Sequence, residues 1–235
     1  MRKAEITLSI INERGKRNQP IERIYRLLYN PEYYYMAYNN IYANEGAMTQ
    51  GINDDTVDGM SKKKITEIIE KVKTETYQWT SVRRTYIKKG NGKLRPLGIP
   101  TWSDKIVQEV MRIILDAYYD PQFNDKSHGF RKGRGCQTAL EAITNKNGWK
   151  SVKWFIEGDI SNCFGSIDHV VLMNIMKERI KDNRFLRLIA KLLNSGYMED
   201  WKYNETISGC PQGGLCEALH SEPYAKKETM RSKPR

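Results

Sequence analysis

Between Ser81 and Pro100 the hydrophobic spacing of the chain switches from helical to strand-like, and this switch constrains the fold more than any other feature. The stretch SVRRTYIKKGNGKLRPLGIP reads as strand, glycine turn and strand, with KGNG as the hairpin signal. Pro96 lacks the N–H that a central strand donates, so the second strand is expected to be irregular or at an edge. On either side the period is helical. Ile21, Ile24 and Leu28 share one face with Tyr25 beside them, and Asn30 and Pro31 can open a helix through YYYMAYNNIYA. A third helix follows Ser61, with Ile65, Ile68, Ile69 and Val72 on one side. Ser103 is expected to cap a long helix whose inner face holds Ile106, Val107, Val110, Met111 and Ile114. A short helix begins near Gln137. Asp168 and Asp182 are expected to cap two more, the last ending at Gly196.

A second alternating run lies at 152–160, where Val152, Trp154, Ile156 and Gly158 alternate with Lys153, Phe155, Glu157 and Asp159. It predicts a strand. Helices with few, separated strands make the class α+β. The polar stretch GAMTQGINDDTVDG reads as loop, and its Asp54–Asp55 pair as part of that loop rather than as a metal site.

Lys and Arg number 39 against 28 Asp and Glu, a net charge of +11 that favours a polyanionic partner, most often nucleic acid. The four cysteines form no C-x-x-C, which fits free thiols in a reducing cytoplasm better than a zinc site. No run approaches the ~18 apolar residues of a membrane span, so no membrane partner is expected.

Two features carry chemistry. From Arg83 to Arg95 there are six basic residues and no acidic one: Arg83, Arg84, Lys88, Lys89, Lys93 and Arg95. Lys93 and Arg95 are two apart and would project from one face, where a triphosphate or nucleic-acid backbone would relieve their repulsion. A solvated edge strand kept basic against aggregation fits the same pattern. Asp159, at the end of an apolar run, can cap the following turn or ligate Mg²⁺. The local pattern supplies one clear ligand, since Asp168 is better explained as a helix cap.

In order along the chain, YRLLYNPEYYYMAYNNIYANEGAMTQGINDDTVDG, VRRTYIKKGNGKLRPLGIPTWSDKIVQ, SHGFRKGRGCQTAL, WFIEGDISNCFGSIDH and GCPQGG resemble the blocks of the reverse transcriptases (maturases) encoded within bacterial group II introns. The resemblance implies the fingers and an incomplete palm of a right-hand polymerase. It implies a basic tail at 1–20, N-terminal extension and fingers at 21–150, partial palm at 151–214, and a non-family, disordered tail at 215–235. Asp159 would be the first catalytic metal ligand, with the Ile160 carbonyl beside it and Mg²⁺ as the cofactor. Phe164 would be the gate that excludes a 2′-hydroxyl. Lys93 and Arg95 would hold the incoming dNTP, and Gln212 and Gly213 would line its pocket. Arg83, Arg84, Lys88 and Lys89, with Arg131, Lys132 and Arg134 of the SHGFRKGRG loop, would contact intron RNA or an RNA template bearing a DNA primer. A homodimer through the fingers and a bacterial, cytoplasmic, nucleic-acid-associated location also follow from the resemblance.

Gly165 stands where the family has Asp. After Gly214 the family pattern stops, and no Tyr-x-Asp-Asp occurs among these 235 residues. The ending is expected to reflect a frameshift or truncation, leaving a chain inactive in DNA synthesis by itself. A non-catalytic RNA-binding module and a degenerate mobile-element product are the alternatives.

Overall fold

A computed structural model describes residues 3–44, 46–88, 90, 92–144, 153–154, 156–158, 163–206 and 208–209. Its seven described helices are α1 (Ala4–Lys16), α2 (Pro31–Ile41), α3 (Lys62–Lys73), α4 (Trp102–Tyr119), α5 (Cys136–Thr144), α6 (His169–Arg179) and α7 (Asn183–Leu193). Four strands, β1 (Val82–Lys88), β2 (Leu94–Ile99), β3 (Tyr197–Glu199) and β4 (Lys202–Asn204), form one sheet in the order β2-β1-β3-β4. The β1–β2 and β3–β4 pairs are antiparallel and β1–β3 is parallel. Pro96 therefore lies on an edge strand, where its missing N–H leaves no ladder bond unmade.

The helical core is built around α4. Its Ile106, Val107, Val110, Met111 and Ile114 are fully buried, joined by Tyr33, Tyr34 and Ala37 of α2 and the Ile65, Ile68, Ile69 and Val72 stripe of α3. Leu172 and Met176 of α6 and Phe185, Leu188, Ile189 and Leu192 of α7 complete it. Burial of each such aliphatic side chain contributes about 2 kcal/mol, so α4 is the main anchor of the fold. Residues 1–20, expected as a tail, instead hold α1, which packs along α4 with Ala4, Ile11 and Gly15 buried. Gly15 is what permits the approach, because a Cβ there would lie 2.1 Å from the Tyr118 carbonyl oxygen.

Four helix starts form as their sequences dictate. Asn30, Ser61, Asp168 and Asp182 each accept from backbone N–H groups of the first turn of their helices. Asp182 also accepts from the Tyr25 N–H at 2.8 Å, tying the 3-10 turn Ile24–Tyr29 to α7. The α4 start differs from expectation. Thr101, not Ser103, is the cap; it accepts from the Asp104 N–H at 3.3 Å. Asp104 completes a reciprocal Thr-x-x-Asp arrangement by accepting the Thr101 hydroxyl at 2.8 Å. Ser103 is left to donate to Asp55.

The strand expected at 152–160 is corrected only at its described positions; residues 152, 155, 159 and 160 lie outside the described residues. Residues 153, 154 and 156–158 are not in a strand, and Trp154 and Ile156 are 88% and 93% exposed. An alternating sequence becomes a strand only where a neighbour completes its ladder, and none of the described strands lies beside it.

The Asp104 carboxylate accepts from the Tyr77 hydroxyl (2.6 Å) and the Thr80 N–H (3.1 Å) as well as from Thr101. Asp104→Ala would leave these donors buried and unpaired. It is expected to lower the unfolding free energy by about 3 kcal/mol, measured by urea denaturation, and Asp104→Asn by less. A loss below ~1 kcal/mol would show that water replaces the carboxylate.

Candidate nucleic-acid interface and catalytic region

The basic residues of the β1–β2 hairpin divide into two groups. Arg83 donates to the Gln50 carbonyl through Nε and Nη2 (3.1 and 2.7 Å) and to the Gly51 carbonyl (3.0 Å), so it holds the 46–60 loop against the sheet. Lys105 reinforces that hold by donating to the Gly46 and Thr49 carbonyls. Arg84 stacks over the Tyr197 ring at 3.8 Å, across the parallel β1–β3 junction. Both arginines are expected from the resemblance to contact RNA; in the fold the Arg83 guanidinium bonds loop carbonyls and that of Arg84 stacks on Tyr197.

The second group is outward. Lys88, Lys93 and Arg95 are exposed. In the β1–β2 register Lys88 faces Leu94 and Arg95 faces Ile87. Leu94 and Ile87 are themselves 57% and 50% exposed, so the hairpin end mixes cations with apolar surface. Tyr86 donates to Glu199, which fixes the outer part of β1 to β3. Lys89 lies outside the described residues.

The SHGFRKGRG loop divides in the same way. Arg131, expected to contact RNA, has a side chain only 6% exposed; it pairs with Asp120 at 2.7 Å and donates to the carbonyls of Asp120, Asn124 and Ser127. It closes the loop onto the end of α4. Arg134 donates to the Asp125 carbonyl at 2.5 Å and pairs with that residue's carboxylate at 3.5 Å. Lys132 is exposed. Spacing along the chain cannot tell a cation that organises a loop from one that faces outward, because the carbonyls that capture Arg83 and Arg131 carry no sequence signature.

The Asp54–Asp55 stretch, read as loop, is pinned. Asp55 pairs with Lys64 at 2.6 Å and accepts from Ser103 at 3.2 Å. Burial pushes its carboxyl up, but the bond and charge of Lys64 outweigh this and hold it below the usual carboxylate range.

Of the residues assigned to catalysis, Asp159, Ile160, Gln212 and Gly213 lie outside the described residues. Phe164 lies in the 3-10 turn Cys163–Ser166. The segments flanking these positions are brought together. The Gly209 N–H donates to the fully buried Ile167's carbonyl at 2.8 Å, and the His169 imidazole bonds the Gly209 carbonyl at 2.7 Å. Gly209, three residues before Gln212, is thus fixed beside the turn that follows Asp159. Among the described residues no group of three or more His, Cys, Asp or Glu could hold a metal ion, and no helix is long and apolar enough to cross a membrane.

Residues 87–219 match the family described as reverse transcriptase (RNA-dependent DNA polymerase). The chain is 48% identical to the group II intron-encoded protein LtrA of Lactococcus lactis subsp. cremoris, over 93% of this chain and 37% of that protein. It is 43% identical to an uncharacterized 91 kDa protein in the cob intron of Schizosaccharomyces pombe, over 92% of this chain and 27% of that one. The chain thus spans about a third of the length of these relatives. Among solved structures, a chain of a Cas6-RT-Cas1–Cas2 complex shares the fold, with TM-score 0.57 and 18% identity over 88% of this chain and 22% of its own.

Arg131→Ala and Lys132→Ala separate the two kinds of cation. Arg131→Ala is expected to lower stability by about 1 kcal/mol through the loss of its bonds to Asp120 and to three loop carbonyls. Lys132→Ala should leave the melting temperature unchanged and weaken RNA binding, read by differential scanning calorimetry and fluorescence anisotropy. A reversed pattern would return Arg131 to the RNA interface.

Proposed function

The chain belongs to the reverse transcriptases, among those encoded by group II introns, and from that premise we propose that it is the fingers and leading palm of an RNA-directed DNA polymerase and maturase whose part is to grip RNA. The observation that carries this reading is the β1–β2 hairpin end, where Lys88, Lys93 and Arg95 stand exposed beside Ile87 and Leu94. Cations neutralise the phosphate backbone, and exposed apolar side chains offer contact to sugars and bases. The partner is intron RNA, or an RNA template with its DNA primer. The location is bacterial and cytoplasmic, with the nucleic acid.

In the whole polymerase, Lys93 and Arg95 would hold the triphosphate of an incoming dNTP, Gln212 and Gly213 would line its pocket, and Phe164 would lie under its sugar. The family generally uses Mg²⁺. Tested on the donor set, these 235 residues do not fit that requirement: the motif supplies Asp159 alone, with no Tyr-x-Asp-Asp. Mg²⁺ takes one or two carboxylates with phosphate oxygens, and two-metal phosphoryl transfer needs more than one. No chemical step is therefore assigned to this chain alone. Intron-RNA binding that assists splicing draws on the basic surface, and the likeness to group II intron-encoded proteins supports it as the activity proposed for these residues.

Two outcomes test this. Anisotropy of a labelled single-stranded RNA should show affinity falling linearly with salt on logarithmic axes, and the Lys88→Gln, Arg95→Gln double variant should reduce that slope by about 1.4. Primer extension by the 235-residue protein with Mg²⁺ should give no nucleotide incorporation. Incorporation that disappears in Asp159→Asn would overturn the non-catalytic assignment, and an unchanged slope would remove the hairpin from the interface.

A further inference from the structure

A groove separate from the β1–β2 hairpin end lies between α7 and β4. It has a volume of about 590 Å³, and its lining includes Gln78, Trp79, Arg187, Lys191, Asn194 and Tyr203. The volume falls within the ~300–1,000 Å³ typical of small-molecule pockets, room for a nucleotide. Arg187, Lys191 and Asn194 are spaced by four and three residues, so they form one outward stripe of α7, opposite the buried Phe185, Leu188, Ile189 and Leu192. Among the described residues, no acidic one lines the groove. Glu75 reaches Arg187 at 2.7 Å from outside the lining and is shared with Arg184, leaving positive charge in excess.

The aromatic side is equally specific. Tyr203 is 53% exposed. Its ring approaches Gly196 so closely that a Cβ there would lie 2.6 Å from it, and Gly196 has φ +70°. Two residues before Tyr203, the β3–β4 turn places Asp200 at φ 48° and Trp201 at φ 62°. Two positive φ values define the hairpin turn that Asn-Gly or Asp-Gly favours, and a tryptophan in the second position is strained. Trp201 is also 98% exposed, so packing does not repay that strain. An exposed aromatic side chain beside a cationic stripe offers a stacking surface to an unpaired base.

We propose that this groove and the adjoining turn bind single-stranded RNA. A base stacks on Tyr203, its phosphates meet Lys191 and Arg187, and Trp201 stacks a further base. The proposal rests on RNA as the partner of this chain but places a second contact away from the hairpin end. Aromatic platforms beside cations are how proteins hold unpaired nucleotides without reading sequence.

The test uses the 235-residue protein, a fluorescein-labelled oligouridylate, and Trp201→Gly, Lys191→Gln and the Lys88→Gln, Arg95→Gln pair. Trp201→Gly installs the Asp-Gly turn, so it should raise the melting temperature while weakening RNA binding about tenfold, the effect of one lost stacking contact. Lys191→Gln should leave melting unchanged and reduce the salt slope by about 0.7. If wild type binds no RNA, the reading of RNA as the partner fails and this one with it. If wild type binds and the hairpin pair weakens it, while Trp201→Gly and Lys191→Gln change nothing, the groove alone is refuted. If Trp201→Gly instead abolishes self-association in sedimentation with RNA affinity intact, the surface is a protein interface and the proposal is overturned.

Discussion

One buried carboxylate sets the direction of the chain between its helical core and its sheet. Asp104 sits 1% exposed at the start of α4 and gathers donors from Tyr77, Thr80 and Thr101. Burial holds its carboxyl above the usual carboxylate range, and the Tyr77 and Thr101 hydroxyls with the Thr80 N–H pull it only part of the way back. The consequence is geometric. The segment between α3 and β1 is held to the α4 N-terminus, so β1 leaves at a fixed place. From there the Val82 N–H donates to the Gly196 carbonyl, and the parallel β1–β3 register follows. The sheet is thus aligned on the core by a polar lock, while the apolar face of α4 supplies the energy that keeps the lock dry.

The same economy governs the cations. A chain of charge +11 must place its basic groups somewhere, and a folded surface has two uses for them. Arg83, Lys105 and Arg131 donate to loop carbonyls and hold those loops in place. Lys88, Lys93, Arg95 and Lys132 face outward. Arginine dominates the first group because its planar fork can serve several carbonyls at once, as Arg131 does. A net charge therefore overstates the positive surface offered to a polyanion, and the outward group is the part that can set the salt dependence of binding.

What could be read from the sequence was local. The Asn30, Asp168 and Asp182 caps, the helix after Ser61 and the Ile65–Val72 stripe depend on neighbours within one or two turns, and all four helices start as read, although the last ends at Leu193 rather than at Gly196. Thr101 displaced Ser103 as a cap because Asp104 could answer Thr101 from three residues on, an option that pattern alone weighted too lightly. The α1 helix was missed because its burial depends on Gly15 meeting Tyr118 more than a hundred residues away. The three-residue strands β3 and β4 were too short for any alternation to stand out. At 152–160 the alternation was strong, but strand formation is a property of pairs. The catalytic roles expected for Asp159 and its neighbours rest on family resemblance alone, since a single aspartate after an apolar run fits a turn as well as a metal.

The Gly209 contact joins two distant parts of the chain. The segments that follow Asp159 and precede Gln212, which the resemblance assigns to one nucleotide site, are separated by about fifty residues. Helices α6 and α7 fill that interval and pack into the core, and the chain returns through β3 and β4 to Gly209, whose N–H and carbonyl are both held at Ile167 and His169. Both ends of the loop are therefore anchored by core burial before any substrate binds. Preorganisation of this kind fixes the approach of the two segments without drawing on binding energy.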